Sequence, residues 1–309
     1  MSSPTASNRT IVIALGANLG IAVSKFVAAG ITGSSAMLTE GVHSVVDCTN
    51  QLLLLWGRRQ ANKPADEYHP FGYGRELYFW SFMVAVLVFA LGAGVSVYEG
   101  ILHIAEPEHA VSPTIAYVVL LIAFLLEGWS TREAISEFKG AKGKLGWFEA
   151  IRNSKDPPAF IILLENGAAM AGIITAAIGL ILAQVTGNPF FDGAASVIIG
   201  IILGLTAFLL AHESKALLIG EAADPAIVRA LHQMVEARPG VAAVGEVLTV
   251  HSAPDQVTAM LSVDFVDTIT AREVEALVCS VELEVEQRFP IVRRLYIRPR
   301  SPSDRTPCA

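Results

Sequence analysis

Cysteine is scarce in this chain, with three in 309 residues, and each stands in a different setting: Cys48 in an apolar stretch, Cys279 in a polar helical one and Cys308 in the extreme tail. Such scatter offers neither a disulfide framework nor a paired-cysteine metal site. Charge is also thin. Asp, Glu, Lys and Arg make up 17% of the chain, against about 25% in an ordinary soluble domain. No HExxH pair and no GxSxG elbow occur, so protease and hydrolase chemistry have no anchor and no enzymatic activity is expected. The net charge of −7, partly carried by the C-terminal region, argues against a nucleic-acid partner. Residues 1–10 hold one basic residue, Arg9, short of the Lys/Arg-rich start of a cleaved signal. The apolar run after them is therefore expected to stay as a membrane span.

What the chain has in abundance is apolar sequence. Hydrophobic residues reach 53% and the mean hydropathy is +0.52, with the excess in the first two thirds. These values describe a polytopic α-helical membrane protein with a soluble tail. A span needs about 20 apolar residues, and six stretches qualify: 11–31, 36–56, 78–103, 113–129, 159–185 and 190–211. Basic residues collect between the second and third (Arg58, Arg59, Lys63, Arg75) and between the fourth and fifth (Arg132, Lys139, Lys142, Lys144, Arg152, Lys155). The other three connections have no Lys or Arg, which places both termini in the cytoplasm.

From His212 onward the pattern changes. Pro225 opens an amphipathic helix that Pro239-Gly240 ends, and alternating runs follow at 246–251 and 257–266 across the turn Ser252-Ala253-Pro254-Asp255. A second helix is expected over 271–289 and a last strand over 292–297. The order αββαβ predicts a small sheet with two helices on one face, a ferredoxin-like α+β unit of a size that pairs with a copy of itself. The expected division is therefore a six-span transmembrane domain (1–211), a cytoplasmic ferredoxin-like domain (212–300) and a disordered tail (301–309).

The chemistry-bearing stretch lies in the second span. Glu40, His43, Asp47 and Asn50 stand at i, i+3, i+7 and i+10, so a helix places them on one face. A charged side chain at a bilayer centre costs about 2.5 to 3.5 kcal/mol on insertion scales, and several together imply a purpose. His43 and Asp47, at i and i+4, converge as two ligands of one cation would. Imidazole with carboxylate suits zinc or another first-row divalent ion better than calcium or magnesium. Glu165, the one acid at depth in the fifth span, and Asn166 beside it are candidates to complete the shell. The plainer alternative is that these residues hydrogen-bond between helices. Lys25 is expected to snorkel to the interface. Tyr98-Glu99 and Glu127-Gly128-Trp129 are expected to be interfacial anchors, and Asp192 a cap or outer-mouth residue rather than a buried ligand.

Three segments then carry a family likeness: residues 38–47 (LTEGVHSVVD), 66–76 (DEYHPFGYGRE) and 191–196 (FDGAAS). With them the chain resembles the cation diffusion facilitators, divalent-metal/proton antiporters that include zinc transporters. Residues 154–157, 164–169 and 213–221 look most like the branch holding the mitochondrial zinc transporter and its bacterial relatives. The resemblance implies six spans, a cytoplasmic ferredoxin-like domain, a homodimer and alternating access around a site on spans two and five. It puts the family's span-two ligands on His43 and Asp47. In span five, where the family shows HxxxD, Ile162 replaces the histidine and Asn166 the aspartate, while Glu165 fits the branch. A weaker loop site falls on Asp66 and His69, with Tyr73 where a third ligand is often histidine. The soluble domain lacks the usual histidine shell: Arg298 and Arg300 stand near the end of the last strand, and His232 and His251 read as surface or packing residues.

The resulting expectation is export of a divalent ion, Zn2+ first, in exchange for protons, with no cofactor beyond the transported metal. The expected setting is a bacterial cytoplasmic membrane. The rival reading is a non-transporting scaffold with a decayed site, and a third keeps the transporter but exchanges zinc for Mn2+, Co2+ or Fe2+.

Overall fold

The computed structural model describes residues 8–106, 113–143 and 145–300. The expected disordered tail, Lys144 and part of the connection between spans three and four lie outside them. Long helices dominate. These are α1 (Asn8–Thr32), α2 (Ser35–Ala61), α3 (Glu76–Leu87) running through one π-helical turn (Val88–Ala93) into α4 (Gly94–Ala105), α5 (Pro113–Lys142), α7 (Pro157–Thr186) and α8 (Phe190–Ile219), with the short α6 (Trp147–Asn153) between the two before last. Among the described residues, four are long and apolar enough to cross a membrane: Glu76–Ala105, Thr114–Gly140, Pro157–Thr186 and Phe190–Ile219. In α1 the apolar stretch among the described side chains is Asn18–Thr32. The apolar character of α2 is interrupted by its own polar stripe, the feature that makes it interesting.

Two helices outrun the expected spans. The α5 helix continues 13 residues past Trp129 to Lys142, because Ser130–Lys142 is rich in Glu, Ala and Lys, good helix formers that need no lipid. Likewise α8 passes Ala211 and ends at Ile219, so the change in composition at His212 falls inside a helix rather than at its end. Small residues let neighbours approach closely. A Cβ on Gly100 of α4 would lie 2.7 Å from the Gly193 carbonyl oxygen and 2.8 Å from the Val197 nitrogen of α8, so only glycine fits this crossing.

The chain divides into two compact units, one built on Met1–Arg59 and Phe79–Lys215, the other on Gln60–Tyr78 and Ala216–Ala309. The second unit holds α9 (Pro225–Glu236), β1 (Val241–Ala253), β2 (Gln256–Phe265), α10 (Ala271–Arg288) and β3 (Val292–Pro299). Its sheet has the order β1-β2-β3, with β1 antiparallel and β3 parallel to β2. Leu231 and Val235 of α9, Val281 and Val285 of α10, and Val257, Ala259, Leu261 and Val263 of β2 form one buried core. Strand β1 starts five residues earlier than the alternation predicts. Its first half is interrupted by register shifts at Val241/Ala243 and Val244/Val247, which hide the period of two. Both helices begin as the sequence demands. Asp224 accepts the Ala226 amide ahead of Pro225, and Thr270 with Glu273 forms a reciprocal capping box.

Candidate functional site

Helix α2 is fixed at its start from another helix. Asp192 of α8 is buried and accepts the Ser35 amide (2.7 Å), the Ala36 amide (3.3 Å) and the Ser34 hydroxyl (2.8 Å). Ser34 Oγ in turn accepts the Met37 amide at 3.2 Å. The first-turn donors of α2 are thereby satisfied, and a carboxylate sits at the positive end of the helix dipole. Asp192 is thus a cap, but of α2 rather than of its own helix. His103 Nε2 lies 3.7 Å from it.

From that anchor the polar stripe runs inward. Glu40, His43 and Asn50 are buried, and the Asp47 side chain is 14% exposed. His43 Nε2 stands 3.6 Å from Asp47 Oδ2, the convergence expected of i and i+4. Neither ring nitrogen of His43 has a hydrogen-bond partner, nor does Asp47 Oδ1. An imidazole and a carboxylate buried with orphaned acceptor atoms are suited to a cation.

Lys25 does not snorkel. Its ammonium is fully buried and donates to Glu40 Oε2 and Ser44 Oγ, both at 2.9 Å. The acidic stripe on α2 offers a closer counter-charge than the interface does, and a paired charge is far cheaper to bury than a lone one. The other Glu40 oxygen, Oε1, approaches α7 so closely that a Cβ on Gly172 would lie 2.4 Å from it. The pair therefore ties α1 to α2 against α7, one turn before His43 along α2.

The fifth-span candidates part company. Glu165 is buried and accepts a hydrogen bond from Asn50 Nδ2 at 2.6 Å, while Asp47 is close enough for the two carboxylates to repel. Asn166 is half-buried and donates to Ser130 of α5 at 3.0 Å. Thus α2 and Glu165 meet, whereas Asn166 faces a different helix. Among the described residues no three His, Cys, Asp or Glu side chains are gathered into a ready cation cage. Sequence reasoning underrated two residues here. Asn50 is Glu165's partner, and Glu127, expected as an anchor, is buried and within electrostatic reach of His43, Asp47, Lys25 and Glu40. The signal for Glu127 was available in the helix-forming residues after Trp129, which put it inside α5 rather than at its end.

In the loop of the second unit, Asp66 Oδ2 accepts the Tyr73 hydroxyl at 2.6 Å, and Oδ1 accepts the amides of His69 (2.7 Å) and Tyr68 (3.0 Å). The Tyr73 bond foremost, then the His69 amide, hold the Asp66 carboxyl below its ordinary range. The same bond pushes the Tyr73 hydroxyl up. His69 Nδ1 is 3.5 Å from Asp66 Oδ1, and both side chains are about half exposed. Tyr73 thus occupies as a donor the oxygen that a third metal ligand would leave free. His251 is buried, its Nδ1 3.3 Å from the Ala253 carbonyl, and His232 pairs with Glu236 on the surface.

Long apolar helices with a buried His and a mostly buried Asp on one of them and a buried Glu on a neighbour are the make-up of an integral membrane protein with ionisable groups at depth. A profile of the cation efflux transmembrane domain matches residues 11–219, and the chain belongs to that family, the cation diffusion facilitators, whose members are metal transporters. Relatives include the mitochondrial proton-coupled zinc antiporter SLC30A9 of Xenopus laevis, 33% identical over 244 residues, which is 78% of this chain and 44% of the relative. Metal tolerance protein C4 of Arabidopsis thaliana is 34% identical over 220 residues (71% and 48%). The manganese efflux system protein MneP of Bacillus subtilis is 24% identical over 229 residues (72% and 72%). The chain spans a little under half the length of the first two.

Proposed function

We propose that the protein exports a divalent transition metal, Zn2+ foremost, from the cytoplasm in exchange for protons. It would do so as a homodimer with six spans per chain and a cytoplasmic ferredoxin-like domain. The observation that carries this reading is the buried face of α2: His43 and Asp47 end in orphaned polar atoms, and Glu165 meets the same face from α7. The zinc antiporters among the relatives favour zinc, and MneP keeps manganese open. In this reading His43 gives one nitrogen, Asp47 and Glu165 give charged oxygens, and Asn166, next to Glu165, gives a neutral one. Coupling follows from linkage, since these groups must lose protons to bind metal and regain them to release it. His43 is suited to carrying protons because an unperturbed imidazole titrates near pH 6.5. Asp66 and His69 form at most an accessory site, with Tyr73 competing for the carboxylate.

Proteoliposomes carrying the protein should take up Zn2+, and Asp47→Ala should abolish the uptake. Undiminished uptake in that variant would sink the assignment. A scaffold with a decayed site is the second reading, motivated by Asn166 facing Ser130 rather than α2. It requires the wild type to be silent and Asn166→Asp to restore activity, whereas a working transporter already carries ion.

A further inference from the structure

The transport reading assigns the neutral oxygen to Asn166, yet another amide is better placed. Asn50 is fully buried and follows Asp47 by three residues and His43 by seven. Those spacings keep all three on one face of α2 within about 10 Å of axial rise. Its amide is held from one end: Nδ2 donates to Glu165 Oε1 at 2.6 Å. A carboxamide is planar, with donor and acceptor on opposite sides, so this bond turns Asn50 Oδ1 away from Glu165. That oxygen is buried without a hydrogen-bond partner, as are both ring nitrogens of His43 and Oδ1 of Asp47. One ring nitrogen of His43, Asp47 Oδ1 and Asn50 Oδ1 thus lie as orphaned acceptors along one face of α2, with Glu40 Oε1 unpartnered one turn before them. Gln51 Oε1 is also unpartnered; it stands at i+4 from Asp47 but about 100° around the helix from Asn50, at the edge of the stripe. Asn166 is half-buried, and its Nδ2 donates to Ser130 of α5 rather than to a group on the α2 face.

We propose that Asn50 supplies the neutral oxygen ligand of the transported cation through Oδ1, while its Nδ2 holds Glu165 for the same ion. The inference rests on the transport reading and makes it more specific. The donor set becomes one imidazole nitrogen, two carboxylates and one amide oxygen, three of the four residues on α2. Two negative charges match one divalent ion. An oxygen-rich set of this kind accepts Zn2+, Co2+ and Mn2+ more evenly than a histidine-rich one does.

The test uses full-length protein in detergent, in a His69→Ala background that silences the loop site, with Co2+ as spectroscopic probe and Zn2+ as competitor. Asn50→Ala and Asn50→Leu should weaken Co2+ binding by about tenfold or more and change the ligand-field absorption of the bound ion. Asn166→Ala tests the competing assignment: if Asn166 is the neutral ligand, this variant and not Asn50→Ala loses the affinity and changes the spectrum. Asn50→Asp, nearly isosteric and so able to fold, should still bind Co2+ with an altered spectrum. Wild-type affinity and spectrum in Asn50→Ala, or the loss appearing in Asn166→Ala instead, would overturn the role of Asn50 and leave the transport site standing. No binding by the wild type, or binding that survives Asp47→Ala, would overturn the transport site itself and the inference with it.

Discussion

At the scale of single residues, the Asp66–Tyr73 pair shows how one substitution in a pattern redirects a site. A tyrosine hydroxyl is a donor as well as an acceptor, and at 2.6 Å it fills an Asp66 oxygen that a metal would otherwise use. Because the folded Asp66 carboxyl titrates below its unfolded value, its contribution to stability is present above about pH 4. That contribution is lost as the pH falls through the lower, folded value. Tyr73→Phe removes the largest cause of the depression, so the Asp66 titration should move up toward the ordinary carboxyl range. Carbon-13 NMR of the Asp66 side-chain carboxyl reads this directly, and an unmoved midpoint would show that the backbone amides suffice. Much of the polar face of α2 was legible at this scale: the spacing of Glu40, His43, Asp47 and Asn50 alone places them on one side of the helix, and three of the four are buried. The partners of each were not, because pairing depends on which helices adjoin α2, and spacing within one helix is silent about that.

Between helices, the Lys25–Glu40 pair joins α1 to α2, and the Glu40 carboxylate presses on Gly172 of α7. Both groups are fully buried, so Coulomb attraction there is weakly screened, and removing one partner strands the other. Lys25→Met should therefore destabilise the membrane unit by about 3–5 kcal/mol, the usual cost of a stranded buried charge. Lys25→Met with Glu40→Gln leaves no charge to strand and should recover most of that loss. Thermal unfolding in one detergent compares the three proteins, and a double variant no more stable than the single one would refute the charge argument. The long helices themselves were legible from apolar length. Their polar extensions, Ser130–Lys142 of α5 and the end of α8, were not, because hydropathy reports where lipid could be and helix propensity alone continues beyond it. The π-helical turn at Val88–Ala93 had no sequence signal that we can identify.

In the whole molecule, the loop between α2 and α3 belongs to the C-terminal unit, where Arg294 of β3 donates to the Pro70 carbonyl at 2.7 Å and stacks over Phe71 at 4.7 Å. Sequence order hides this, since more than 200 residues separate the partners. The membrane unit has its own charge logic. In the proposed cycle Lys25 and Glu40 cancel each other, and with Glu127 protonated throughout, Asp47 and Glu165 are the charges that a cargo ion would meet on the α2–α7 face. With a divalent ion bound, that face is neutral; with two protons in its place, both on the carboxylates or one on His43 and one on a carboxylate, it is neutral again. Every other combination leaves net charge in a low-dielectric interior, at a cost of several kcal/mol. The transport cycle should then exchange two protons for each ion without moving net charge. Proteoliposomes with an acidic lumen should accumulate Zn2+ faster than those without a pH difference, and collapsing the gradient with nigericin should remove the excess. A potassium diffusion potential set with valinomycin at equal pH should leave the rate unchanged. Uptake that follows the potential instead would mean that His43 or Glu127 carries a further proton through the cycle.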